Sequence, residues 1–169
     1  MRVYLPATFS TLQELSDTGG FTVRSGYGFA VTPALNDYFV SGDPEEVAHF
    51  AFIDAARASL RLLAIGDNEA FPHRRVVISA DIDDNLVELQ PHNGESVVKL
   101  SPAHVELDAV AAIHVDIESS EAATAAAIEA IDAADLGDED AEFTVGDADD
   151  NFMAWYDPIE LAVLVELMW

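Results

Sequence analysis

Two short stretches hold the side chains best suited to acid–base or metal chemistry. In 75–83, Ser79, Asp81 and Asp83 recur at every second position, and in 109–118 His114, Asp116 and Glu118 do the same. Residues two apart on a strand share a face. Each stretch would therefore aim its polar set one way and its aliphatic set the other, with Val77 joining the polar side. The aliphatic sets are Val76, Ile78, Ala80 and Ile82, and Ala111, Ile113, Val115 and Ile117. If the strands are near neighbours, Asp81, Asp83, His114, Asp116 and Glu118 could meet around one divalent cation. Oxygen-rich sets of this kind suit calcium, magnesium or manganese, and an imidazole among carboxylates can act as a general base. A plainer reading also explains the alternation: an open sheet face whose polar residues meet water, in a chain with 32 acids among 169 residues.

Other groups carry weaker signals. Asp54, Arg57 and Arg61 share a side of a predicted helix, where arginine could clamp a ligand carboxylate or phosphate. Pairing of Asp54 with Arg57, and of both arginines with acids elsewhere, is the plainer account and is preferred. Asp138-Glu139-Asp140 and Asp147-Ala148-Asp149-Asp150 lack the sixth-position glycine and twelfth-position glutamate of an EF-hand, so they read as a solvated acidic connection. Gly26-Tyr27-Gly28 lacks the third glycine of a dinucleotide fingerprint and reads as a turn or bulge. Tyr4, Trp155 and Tyr156 could form an aromatic platform. The five histidines show no zinc-binding pair four residues apart, and no P-loop, GxSxG elbow or cysteine nucleophile is present. Catalysis has no motif behind it.

The elements that must position these residues follow from periodicity and punctuation. Arg2–Leu5 reads as a strand stopped by Pro6, and residues 10–18 as a helix ended by Gly19-Gly20. Residues 21–31 are β-like but broken by glycines. Thr32-Pro33 opens a short helix running to Gly42, and Asp43-Pro44-Glu45-Glu46 opens a long one reaching about Ile65, stopped by Gly66 with Asp67-Asn68. After the two alternating strands, with lesser strand candidates at 86–89 and 97–100 between them, Ser120 caps an alanine-rich helix to about Ala134. A short strand is expected at 142–145, another at 152–156, and a last helix from Asp157. With the helical pair at 33–65 set aside, the order is βαββαβ. The predicted architecture is a single α+β domain over 1–169. It is a two-layer sandwich of ferredoxin-like order with an inserted helical pair and a C-terminal helix.

Composition narrows the function. Seven basic residues against 32 acids leave a net charge of −25, and all seven lie before residue 100. Direct binding to nucleic acid is excluded as an expectation, because phosphate polymers are held mainly by Lys and Arg. No cysteine means no disulfide and no cysteine-ligated zinc. A half-apolar composition argues against disorder. No signal-peptide core or membrane span is visible, and a cytoplasmic location with no membrane partner is expected.

The pieces 29–35, 54–61, 74–77, 113–116 and 155–157, with the Arg2-Val3-Tyr4-Leu5-Pro6 start, resemble a small conserved actinobacterial protein family of unknown function. The resemblance implies a stand-alone cytoplasmic domain and assigns no residue a role. The expected function is non-catalytic binding of a protein partner or of a second copy. It is motivated by the sheet face that a one-sided helix layer would leave bare and by the apolar end Leu167-Met168-Trp169. No cofactor is expected on this reading. The alternative is a metal-binding protein or metal-dependent enzyme built on the five residues above. A third reading is an acidic mimic of nucleic acid.

Overall fold

A computed structural model describes residues 1–39, 41–66 and 71–167. Asp67-Asn68, Met168 and Trp169, invoked above, lie outside the described residues. Nine strands and six α-helices are present among the described residues. They are β1 (Arg2–Ala7), α1 (Phe9–Thr18), β2 (Gly20–Thr22), β3 (Tyr27–Ala30), α2 (Pro33–Tyr38) and α3 (Pro44–Ala64). Then follow β4 (Val76–Asp81), β5 (Val87–Leu89), β6 (Val97–Leu100), β7 (His104–Glu106) and β8 (Val110–Asp116). The chain continues with α4 (Glu121–Asp135), α5 (Glu139–Asp149), β9 (Met153–Tyr156) and α6 (Leu161–Glu166).

Local chemistry explains where the main helices begin. Asp43 accepts hydrogen bonds from the N–H groups of Glu45 and Glu46, and Pro44 supplies a preset first helical residue to α3. Thr32 caps α2 through the N–H of Leu35. Asp138 accepts from the N–H of Ala141 and starts α5. The segment 142–145 therefore lies inside a helix, which corrects the expected strand. Val145 and Ala148 are fully buried against α3 and α4, and that burial overrides the β-preference of Phe143-Thr144-Val145.

Seven strands form one antiparallel sheet in the order β5-β6-β3-β1-β4-β8-β9, and β2 pairs with β7 in a small second sheet. The α+β class holds. The ferredoxin-like order is not confirmed, because a split βαβ unit needs the two strands flanking a helix to be parallel with another strand between them. Here β8 and β9 flank α4 and α5, yet they are adjacent and antiparallel.

The two-layer expectation is also corrected, since helices cover both faces of the sheet. Val3, Leu5, Val76, Ile78, Ile113 and Val115 meet α1, α6 and the small sheet on one side. On the other, Val77, Tyr4 and Phe29 meet Ala55, Ala56 and Phe52 of α3. Buried on both faces, β4 needs apolar residues at consecutive positions, hence Val76-Val77-Ile78. Ser59 of α3 is fused to the sheet by donating to the Ala7 carbonyl (2.7 Å) and accepting from the Val76 N–H (3.0 Å). A register shift between β4 and β8 pairs Ala80 with Val110 and Ser79 with Ala112, leaving Ala111 as the extra residue of a bulge. Val110, not Ala111 as expected, thus joins Ile113 in the core.

Candidate functional site

Pairing direction decides what becomes of the five carboxylate and histidine positions. Both polar sets lie toward the C-terminal ends of their strands. Parallel pairing would have brought those ends together, but β4 and β8 are antiparallel, with Val76 opposite Val115 and Ala80 opposite Val110. Asp81 and Asp116 therefore sit at opposite ends of the pair, about 20 Å apart along the strand direction at ~3.4 Å per residue. Asp83 is exposed beyond the Asp81 end, and Glu118 is exposed beyond the Asp116 end. Among the described residues, no three His, Asp or Glu side chains gather where they could hold an ion.

Exposed Asp81 and buried Asp116 each have an arginine partner. Arg2 donates to both oxygens of Asp81 (2.7 and 3.2 Å), and that hydrogen bonding holds the Asp81 carboxyl below the usual aspartate range. Asp116 accepts from Arg75 Nε (2.9 Å) and Nη2 (2.7 Å), from the Arg75 backbone N–H (2.7 Å) and from the Thr124 hydroxyl (3.0 Å). Four donors occupy its lone pairs, so Asp116 is a structural anchor.

Arg75 is one of four arginines that reach from the first half of the chain to acids of the second. Arg57 binds Glu142 (2.6 Å) and Asp149 (2.8 Å), Arg61 binds Asp135 (2.9 Å), and Arg74 binds Glu121 (2.7 Å). These contacts realise the tertiary pairing expected of Arg57 and Arg61. Asp54 is not paired with Arg57. It accepts from the Ser96 hydroxyl at 2.6 Å, and burial pushes its carboxyl up.

His114 faces a recess between sheet and helix, apart from the open hollow that Asp81 and Asp83 line at the far end of β4. A shallow groove of about 340 Å³ runs between the sheet and the first turns of α3. Tyr4 and Trp155 stand on its sheet side, His49 and Phe52 on its helix side, and Arg2 near its end. His114 pairs across the ladder with Trp155 and meets Phe52 edge-on, with ring centroids 4.9 Å apart. Its Nε2 lies 3.0 Å from the Ser79 hydroxyl. Burial, aided by the nearby positive charge of Arg2, lowers its pKa to about 4, so the ring is neutral at pH 7. Ser79 is only 2% exposed, and among the described residues no carboxylate bonds the other ring nitrogen. The pair lacks the third member that orients the base in a nucleophilic triad.

The three residues of the candidate aromatic platform are split by strand alternation. Tyr4 and Trp155 share the groove, whereas Tyr156 turns to the opposite core. Sequence reasoning missed His49 and Phe52. Their spacing of three on the well-signalled α3 placed them on one side, but nothing in the sequence said that side faced Trp155.

Trp155 is 57% exposed and lies on β9, the last strand of the sheet order. Together the covered sheet, the arginine clamps and this open groove define an acidic α+β domain with an aromatic recess beside a free sheet edge. Residues 1–165 match the model of DUF6912, a family of unknown function, and the chain belongs to that family. No curated protein and no solved structure matches it. Among the described residues no helix is long and apolar enough to cross a membrane.

Proposed function

We propose that this chain is a non-catalytic binding domain whose β9 edge and adjoining groove take an extended segment of a basic protein. The observation that carries this reading is the exposure of Trp155 on an edge strand. A strand edge offers unpaired backbone groups that a peptide can extend into a new strand, with neighbouring pockets receiving alternate side chains. A large aromatic side chain beside such an edge supplies the anchor that dominates many interfaces. Charge sets the partner's chemistry. At −25, a second copy is repelled, whereas Lys- or Arg-rich chains are attracted.

The test is site-specific photocrosslinking in the native host, with a benzoyl-phenylalanine at position 155 and, as control, at the equally exposed Tyr38. The reading expects one discrete adduct from 155 and none from 38. An adduct at twice 18.2 kDa would replace the basic partner by self-association. Identical smears from both positions, or no adduct from either, would remove the β9 reading.

A further inference from the structure

We infer a second interaction surface, on the outer face of α5, that accepts a basic amphipathic helix from a partner protein. It is independent of the β9 reading, since none of its residues borders the Trp155 groove.

The surface is a trough of about 600 Å³ between the end of α4 and α5. Its floor is Ala134, Gly137, Phe143 and Gly146, and its rim carries Glu139, Asp147 and Asp150. On α5 these positions fall at 139, 143, 146, 147 and 150, the spacing of a single helical stripe.

Three features of the stripe are unfavourable within the chain. Gly146 sits inside a helix, where glycine is disfavoured relative to alanine. A Cβ added there would meet nothing within 4 Å, so internal packing does not require its smallness. Phe143 is 77% exposed. Asp147 and Asp150 occupy the last turn and the cap of α5, where the helix dipole disfavours negative charge; α5 has no basic residue of its own there, and Arg57 is bound to Asp149 instead. Arg57 reaches only Glu142 and Asp149, leaving the rim acids without an ion-pair partner among the described residues.

One occupant relieves all three. An apolar ridge lying over Gly146 and Gly137 would approach the backbone closely and cover Phe143. Basic residues flanking that ridge would meet Glu139, Asp147 and Asp150. That is the apolar-ridge, charged-flank pattern of a basic amphipathic helix seated in a groove. A second copy does not fit, because the only arginines on its α-helices, Arg57 and Arg61, are already paired with its own acids and its net charge is −25.

The experiment titrates the full chain with a synthetic peptide of about 18 residues carrying leucines at helical spacing and lysines elsewhere. The control is a peptide of the same composition, scrambled so that no apolar face forms. Binding is read by fluorescence anisotropy at low and moderate salt, with thermal melts of each variant. The expected result is at least tenfold tighter binding of the amphipathic peptide, weakened by salt. Phe143→Ala and Gly146→Leu should each weaken it at least tenfold. Gly146→Leu must also melt no lower than the parent, which shows that the loss is not unfolding. Binding of the scrambled peptide within twofold of the ordered one would overturn the inference, leaving charge attraction alone. Retention of affinity by both variants would overturn it as well.

Discussion

The guanidinium of Arg75 holds both oxygens of the Asp116 carboxylate in a two-pronged contact, with the two side chains 2% and 0% exposed. Arg75 Nη2 also donates to the Asn151 carbonyl at 3.2 Å. One buried pair thus joins the start of β4, the end of β8 and the lead into β9.

Removing one partner leaves a buried charge without its counter-ion. Asp116→Ala or Arg75→Met should each destabilise the domain by about 3–5 kcal/mol. The double substitution should cost less than the sum of the two. Urea unfolding followed by far-UV circular dichroism measures all three, and additive losses would show that the pair is not energetically coupled.

His114 should make stability fall in mild acid. Its pKa is about 4 when folded against 6.5 for a free imidazole, so between those values the unfolded chain binds more protons. The contribution is complete above about pH 6.5 and is lost as pH drops toward 4, a span of order 3 kcal/mol. Asp54 and Asp149, whose carboxyls burial pushes up, act with the opposite sign as pH rises above the ordinary aspartate value. Subtracting the His114→Gln curve from that of the parent isolates the histidine. A flat difference between pH 4 and 6.5 would contradict its burial as a neutral ring.

Gly28 is held by packing. A Cβ there would stand 2.7 Å from Val3 Cγ1 and 2.8 Å from Leu5 Cδ2, both in fully buried side chains. Gly28→Ala should therefore cost about 1–3 kcal/mol through overpacking. At Gly26 the constraint is conformational, with φ at +75°. The two glycines of Gly26-Tyr27-Gly28 thus answer to different causes, neither of them a phosphate. An unchanged melting temperature for Gly28→Ala would mean that β1 yields more easily than its burial implies.

Calcium and magnesium at matched ionic strength should shift the melt equally and slightly, by screening alone. The separation of Asp81 and Asp83 from Asp116 and Glu118 is the reason. A shift confined to one ion and abolished by Asp81→Asn would show that the carboxylates assemble in solution.

Much of the fold was readable because local chemistry and tertiary burial agree. Asp43-Pro44 opens α3 as expected, and β4 and β8 lie where alternation put them. Prediction failed where long-range contacts decide. The 142–145 segment has strand-like residues but is helical because Val145 and Ala148 pack on α3 and α4. β7 was missed because His104-Val105-Glu106 is too short to show a period, and it forms only by pairing with β2. The five-residue site failed for a related reason. Alternation reveals which face a side chain occupies but not which end of a strand meets which end of its neighbour. His114 was the exception, since the middle of a strand keeps its neighbours under either direction.

The arginine clamps also bear on the order in which the chain is made. Arg57, Arg61, Arg74 and Arg75 are synthesised well before the acids at 116, 121, 135, 142 and 149 that they bind. Until those acids emerge, β4 has no β8 beside it, and four cations that end up clamped face solvent or passing polyanions. A ribosome-bound chain stopped near residue 99 should therefore be protease-sensitive and attract nucleic acid locally, despite an acidic total. Resistance should arrive only with the α4–α5 segment. The second half supplies the counter-charge for four arginines of the first, which is why the two halves are expected to close together.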